Sequence, residues 1–132
     1  MSSKPQAILT ADAPAPAGHY SQAMRSGNSL YISGQLPIRA DKAPLPSTDF
    51  ETQSRQALAN MLAILEAAGG KAEDLCRVTA YIVGVGNWPE FNRIYSDMLG
   101  DAKPARTVVP VPELHYGFLV EIDAIATLPD QN

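Results

Sequence analysis

PARTVVPVPELHYGFLVEIDAIA, residues 104–126, contains two apolar strand-like runs, 107–111 and 119–126. Each run carries a charge that a purely structural role explains poorly: Arg106 opens the first, and Glu121 lies inside the second. Successive side chains of a strand point to opposite faces, so pairing of the runs as a hairpin would let Arg106 and Glu121 approach across the sheet. The pair is then either a partly exposed ion pair worth about 0–1 kcal/mol, or a guanidinium that binds a substrate carboxylate beside a carboxylate that handles water. These residues alone leave both interpretations open.

The composition places the chain among soluble globular proteins. At 132 residues it is long enough for one domain, residues 1–132, and short for two. Ten basic residues against 14 acidic ones give a net charge of -4, which argues against nucleic acid as a partner. No apolar run approaches the ~20 residues of a membrane span, and the first residues lack the features of a signal peptide. We therefore expect a cytoplasmic protein that does not bind membranes.

The single cysteine, Cys76, excludes an intrachain disulfide and a cysteine-based metal cluster. We expect it to be a packed, unreactive thiol. The sequence also lacks a phosphate-binding glycine loop, a GxSxG motif and an HExxH motif. His19 and His115, the only histidines, lie far apart in sequence. We therefore predict no metal site.

Hydrophobic periodicity and turn residues predict the remaining elements. Gly27-Asn28 favours a tight hairpin turn, and Thr48 with Glu51 has the spacing of a helix capping box. Residues 12–20 form a proline-rich loop that ends with His19 and Tyr20. Gly34, at the end of a strand, lets a ligand or a neighbouring strand come close to the backbone. In order, we predict strands at 6–9, 23–26 and 29–33, a helix at 48–68, a strand at 75–83, a helix at 87–99 and the two runs of the opening stretch.

This order predicts an α+β fold with two helices covering one face of a single mixed sheet. In the last run Val120, Ile122, Ala124 and Ala126 share an apolar face, whereas Glu121 and Asp123 lie on the other. Two carboxylates on that second face argue against a dry intramolecular core there, so self-association with pockets between subunits is the simplest solution.

Six segments carry a family resemblance: APAPAGHYSQA at 13–23, SGQLP at 33–37, QALANMLAILEAAG at 56–69, FNRIYSDML at 91–99, PAR at 104–106 and VEIDAIA at 120–126. Together they resemble the RidA (YjgF) family of reactive-intermediate deaminases, and the likeness extends along nearly the whole chain. PAR and VEIDAIA at this spacing, with SGQLP upstream, form the specific part of the signal. Either motif alone is weak.

The resemblance implies a chorismate-mutase-like fold assembled as a homotrimer, with three pockets at the subunit interfaces. It also implies hydrolysis of 2-enamine/2-imine acids such as 2-aminoacrylate to 2-keto acids and ammonia, with no metal or organic cofactor. The small imino or keto acid is then the expected ligand.

The positions that match the family motifs indicate which residues form the expected active site. Arg106 is expected to hold the substrate carboxylate, because a planar guanidinium is its best bidentate partner, and Glu121 to orient the water. These two are the predicted catalytic residues. His115 joins the substrate-binding set because it stands beside Tyr116 and Gly117, which hint at a pocket rim. The predicted substrate-binding residues are Tyr20 and Ser33 in the pocket wall, Gly34 at its floor, Asn92, Arg106 and His115.

The chain also departs from the family pattern. Val108 stands where many members carry a cysteine, and Leu114-His115-Tyr116-Gly117 replaces a common leucine-proline-lysine-aspartate turn. These changes leave the substrate side chain open. One alternative is a pathway-specific deaminase of an aminomuconate-like acid, and another is a non-catalytic metabolite-binding or chaperone-like protein of the same fold. RNA cleavage or translation inhibition is disfavoured by the acidic balance.

Overall fold

The computed structural model describes residues 4–130, which form one mixed six-stranded sheet and two α-helices. The elements, in chain order, are β1 (Gln6–Ile8), β2 (Ala23–Ser26), β3 (Ser29–Gln35), α1 (Phe50–Ala67), β4 (Leu75–Val83), α2 (Trp88–Leu99), β5 (Ala105–Val111) and β6 (Val120–Thr127). Across the sheet the strands lie in the order β1-β2-β3-β6-β4-β5. A single mixed sheet with two helices is therefore confirmed.

Strand β6 lies inside the sheet, antiparallel to both β3 and β4. Strand β5 pairs only with β4, in parallel, with Val78 opposite Arg106. The hairpin considered for the two opening runs therefore does not form, since β4 separates them. A parallel pair needs a long crossover, and here α2 supplies the crossover between β4 and β5.

The hydrophobic core lies between the sheet and the helices. Along β6, Val120, Ile122, Ala124 and Ala126 are at most 3% exposed, while the alternate side chains are more accessible. On α1 the residues that face them are all fully buried: Ala57, Leu58, Met61, Ile64 and Leu65. Both helices thus cover one face of the sheet. The opposite face is uncovered within the chain, where the paired residues Tyr31 and Ile125 are 50% and 38% exposed.

Helix α1 begins one residue later than the predicted capping box requires. Asp49 is the N-cap, and its side chain accepts a hydrogen bond from the Thr52 backbone N–H at 2.8 Å. The Thr48 carbonyl oxygen instead accepts a hydrogen bond from Gln53 Nε2 at 2.9 Å. Aspartate is preferred to threonine as an N-cap, which favours the start at Asp49, and the first helical residue, Phe50, is buried in the core.

A ring of four charged side chains fastens α1 to α2. Arg55 and Arg93 each contact both Glu51 and Asp97, with N···O distances of 2.9 and 3.1 Å for Arg55 and 3.1 and 3.8 Å for Arg93. Isolated surface ion pairs contribute about 0–1 kcal/mol. Closing four of them into one ring restricts how α2 can slide on α1.

Cys76 is exposed rather than packed, which corrects the expectation for this thiol. Its Sγ lies 3.3 Å from the Thr127 hydroxyl, where the pairing of β4 with β6 shifts register. In the part of the chain that the structure describes, neither helix has the length and apolar character needed to cross a membrane.

We expect Gly70→Ala to lower the free energy of unfolding by about 1–3 kcal/mol, since overpacking a core costs this much. A Cβ at Gly70 would lie 2.6 Å from Leu65 Cδ1 and 2.8 Å from Leu128 Cδ2. Urea denaturation followed by circular dichroism measures the change. Gly86→Ala is the matched control, because its Cβ would meet nothing within 4 Å. Equal stability of the two variants would show that the site near Gly70 relaxes freely.

Candidate active site

A cavity of about 460 Å³ lies against the uncovered side of the sheet, and we call it the Glu121 cavity. Its lining comes from three segments: 14–22, 33–38, and 115–121. Tyr20, Ser33, Gly34, His115 and Glu121 all line it. The structure thus brings together five of the residues selected from the sequence.

Glu121 lies at the floor of this cavity, packed against the backbone of Gly34. A Cβ built on Gly34 would come within 2.8 Å of Glu121 Oε2, so only glycine leaves room for the carboxylate here. The pairing of β3 with β6 shifts register between Ile32 and Gln35, beside this contact. Burial raises the pKa of the Glu121 carboxyl above its ordinary value, nearby His115 opposes the shift, and Asp123 adds to it.

One buried amide, Gln22, holds the first wall of the cavity in place. Its Nε2 donates to the carbonyl oxygens of Thr10, Ala13 and Pro14 at 3.1, 3.3 and 3.0 Å, and its Oε1 accepts from the Thr10 N–H at 2.7 Å. Gln22 is only 1% exposed. A proline-rich segment that cannot form regular structure is therefore fixed by a single side chain.

Two amides on α1 hold the other walls. Asn60, 1% exposed, donates from Nδ2 to the carbonyl oxygens of Leu36 and Ile38 at 3.1 and 2.8 Å. Gln53 accepts at Oε1 from the Leu119 N–H at 2.8 Å, just before β6 carries Glu121 into the cavity. The helix thereby sets the position of two wall segments across the core.

The rim of the cavity is aromatic. Tyr20 is 51% exposed, and its hydroxyl accepts from the Ala17 N–H at 3.2 Å. Tyr116 is 74% exposed and has a φ of 61°, a left-handed backbone that is uncommon outside glycine. Its ring packs edge-on against Phe118, with centroids 6.1 Å apart, and lies 5.9 Å from the His115 ring.

Arg106 and Asn92 lie elsewhere, in what we call the Arg106 cluster. Arg106 Nη1 donates to Asn92 Oδ1 at 3.0 Å, and its guanidinium carbon lies 4.9 Å from the centroid of the Tyr95 ring. Tyr95 is 7% exposed, and its hydroxyl has no hydrogen-bond partner within residues 4–130. Burial raises the pKa of this hydroxyl, and the charge of Arg106 opposes the shift. An amide and an aromatic face thus hold the guanidinium in one orientation.

The expected approach of Arg106 to Glu121 within one chain is wrong. Arg106 pairs with Val78 and shares its helix-side face, while Glu121 pairs with Tyr81 on the opposite face. The two strands are separated by β4, and the two register positions lie three residues apart along it. Standard strand spacings put the two backbone positions roughly 14 Å apart. The two side chains point to opposite faces of the sheet.

The sequence-based prediction missed four residues that shape the site: Gln22, Gln53, Asn60 and Tyr95. Gln53 and Asn60 did leave a signal, because they occupy the buried face of α1 among apolar positions. A polar residue there must find a partner across the core. Tyr95 falls in the apolar i, i+3, i+4, i+7 stripe of α2, a pattern that indicates packing and carries no signal of a contact with Arg106. Among residues 4–130, no group of three or more His, Cys, Asp or Glu side chains is arranged to hold a metal ion.

Comparison with known proteins gives a consistent result. The family model of endoribonuclease L-PSP matches residues 10–128. A RutC family protein of Pyrococcus horikoshii is 42% identical over 121 residues, covering 92% of this chain and 96% of the relative. The 2-iminobutanoate/2-iminopropanoate deaminase of Dermatophagoides farinae is 34% identical over 121 residues, covering 92% and 94%.

The fold agrees as well. The crystal structure of the YjgF gene product of Escherichia coli superposes with a TM-score of 0.87 at 34% identity, covering 92% of this chain and 98% of that one. A match of this extent in both sequence and structure goes beyond a shared fold. The chain belongs to the endoribonuclease L-PSP family, which is the RidA (YjgF) family anticipated from its motifs.

Proposed function

We propose that the protein hydrolyses reactive 2-imino acids, and their 2-enamine tautomers, to 2-keto acids and ammonia. The observation that carries this proposal is the presence of two complementary half-sites on one chain. The Arg106 cluster offers an oriented cation, and the Glu121 cavity offers a half-buried carboxylate packed against Gly34. The deaminase named among the relatives acts on substrates of this class, and that is supporting evidence only.

The two half-sites meet if chains associate head to tail. An interface that joins the Arg106 cluster of one chain to the Glu121 cavity of the next is heterologous, and such interfaces close into rings. A ring of three chains, with three pockets, is the arrangement we propose. The uncovered sheet face supports association, since Tyr31 and Ile125 expose apolar surface there beside Asp123. Burial already raises the pKa of Asp123, and its carboxylate accepts from the Tyr81 hydroxyl at 3.2 Å.

Arg106 suits the role of carboxylate anchor. Within the described residues no carboxylate lies within salt-bridge distance of it, although it is held by Asn92 and Tyr95. A guanidinium whose orientation is already fixed loses less freedom when it binds an anion. The substrate carboxylate is therefore placed with its C=N carbon facing Glu121 of the neighbouring chain.

The reaction adds one water across the C=N bond. An iminium acid, R–C(=NH2+)–COO−, and water give the keto acid, R–CO–COO−, and NH4+. Glu121 accepts a proton from the attacking water and returns it to nitrogen. The C–N bond then breaks and ammonia leaves, while Glu121 takes the proton of the new hydroxyl and passes it to the ammonia, which gives ammonium. Because an imine is already electrophilic, positioning and a modest base are enough.

RNA cleavage fits the geometry less well, although the family model is named after an endoribonuclease. The lining of the Glu121 cavity contains no arginine or lysine and has Glu121 at its floor. Such a surface repels a phosphate rather than binding it.

We expect Arg106→Ala to lower kcat/KM for imine hydrolysis by at least about a hundredfold, because two charge-assisted hydrogen bonds are lost. The assay generates the imine with an amino acid oxidase and follows the loss of its semicarbazide adduct. Arg25→Ala is the control, since Arg25 contacts only a turn, at Gly27 and Asn28. Full activity in Arg106→Ala would remove the anchor role.

Complementation tests whether the site is built by two chains. Arg106→Ala and Glu121→Gln should each be inactive as pure oligomers. Random mixing of equal amounts should restore about a quarter of wild-type activity, because one interface in four then joins an intact Arg106 to an intact Glu121. Native mass spectrometry verifies that mixed trimers form. Mixed trimers without activity would contradict a site composed from neighbouring chains.

The acidic limb of kcat/KM should lie above the ordinary pKa of a glutamate. The carboxylate is the working form of the base, and burial raises the pKa of Glu121. As pH falls through that raised pKa the base becomes protonated, so activity is lost at a higher pH than for an exposed glutamate. In Glu121→Gln the limb should disappear and activity should be low at all pH values. Since burial disfavours the charged carboxylate, this variant should remain folded. A limb unchanged in the variant would assign the titration to another group.

A further inference from the structure

The Glu121 cavity is much larger than the smallest substrates of the proposed reaction. Its volume is about 460 Å³. A water molecule takes up about 30 Å³ of the liquid, so the cavity has the volume of roughly 15 waters. A three-carbon imino acid such as 2-aminoacrylate fills only a small part of this space. The remaining volume is available to the side chain of the substrate, to water and to the side chains of the neighbouring chain that completes the proposed site.

The wall that faces this space is largely apolar. Three of its polar side chains are already engaged with the protein: Gln22 with 10–14, Ser33 with the Ser21 carbonyl oxygen at 2.6 Å, and Gln35 with the Ser33 carbonyl oxygen at 3.2 Å. Besides these, Glu121 and His115 are the charged or titratable groups of the lining outside the tyrosine rim. The side chains left to contact a ligand are Pro14, Ala15, Ala17, Leu36 and Ile38, together with the aromatic rim. Such a wall binds an apolar group by removing it from water.

Two exposed tyrosine rings border the opening. Tyr20 and Tyr116 are 51% and 74% exposed, although large apolar surfaces are normally covered. The left-handed backbone of Tyr116, at φ 61°, costs free energy. The Phe118 ring supports it in that position. Strain of this kind concentrates at binding sites, and here it presents an aromatic ring at the cavity mouth.

The negative charge in the cavity also favours a substrate with an uncharged side chain. Glu121 lies at the floor, and no arginine or lysine lines the cavity. A second carboxylate on the substrate would therefore be placed near a negative charge without a strong cation to hold it. His115, at the rim, is the one lining residue that can offset this, so acidic substrates belong in the test.

We propose that the side-chain pocket of this site is specific for 2-imino acids with large apolar side chains, aromatic ones foremost. This inference rests on the proposed function for its reaction. Binding of the side chain does not depend on the hydrolysis step. The cavity binds the side chain, while Arg106 of a neighbouring chain holds the carboxylate common to all these acids.

The test uses the assembled wild-type protein and imines generated by oxidases from alanine, leucine, phenylalanine and glutamate. We expect kcat/KM for the phenylalanine imine to exceed that for the alanine imine by at least about tenfold, with leucine close behind and glutamate lowest. A preference for the alanine imine or for the glutamate imine would overturn the inference and leave hydrolysis intact.

Binding of the products separates specificity from catalysis. Titration calorimetry with phenylpyruvate and with pyruvate should show tighter binding of phenylpyruvate by a similar factor. If no imine is hydrolysed faster but this preference holds, the proposed function fails and the side-chain pocket stands. Equal affinity for the two keto acids overturns the pocket.

Substitution of Tyr116 locates the preference. Tyr116→Asn removes the ring but keeps a residue that tolerates the left-handed backbone. It should lower kcat/KM about tenfold for the phenylalanine imine and little for the alanine imine, whereas Tyr116→Phe retains the preference. Val85→Ala is the control, because Val85 is 65% exposed but does not line the cavity. An equal loss for both imines in Tyr116→Asn would show a structural role instead.

Discussion

Alternation of side chains along strands places Arg106 and Glu121 on opposite faces of one sheet. The proposed two-chain site depends on this placement. Because β5 pairs in parallel with β4, Arg106 shares the helix-side face with Val78. Because β6 runs antiparallel to β4, Glu121 shares the other face with Tyr81. No rotamer change brings two groups together through a hydrogen-bonded sheet. A single chain therefore keeps Arg106 and Glu121 apart, and the proposed site requires self-association to join them.

The elements were predictable from the sequence where their signals are local. The Gly27-Asn28 turn joins β2 and β3 as expected, and the apolar stripe on 58–65 is buried against the sheet. Strand order was not predictable in the same way. Residues 112–119 are long enough to close a hairpin between neighbouring runs, so proximity in sequence favoured that pairing. The β4-α2-β5 segment, however, also reads as a strand-helix-strand crossover to a parallel strand. That nonlocal alternative is the one adopted.

The candidate site also contains residues that were predictable from local sequence and residues that were not. Motif matching selected Tyr20, Ser33, Gly34 and Glu121, which share one cavity, because the chemistry of a site constrains residue type strongly. The supporting residues left weaker signals. Asn60 and Gln53 stand on the apolar face of a helix, and their partners are backbone groups of loops far away in sequence. Backbone groups are the same in every sequence, so which ones a buried amide will contact becomes apparent only once the fold is known.

Those buried amides have a consequence for how quickly the protein can act. Gln22, Gln53 and Asn60 fix backbone groups of three segments around the Glu121 cavity, so these segments do not have to become ordered around an incoming molecule. Capture is then governed by encounter, not by closure of a flap, and the entropic penalty of ordering is absent from each turnover. A rigid cavity of this kind would suit the proposed imino acids, because a reactive imine is lost in water while a slower protein is still rearranging.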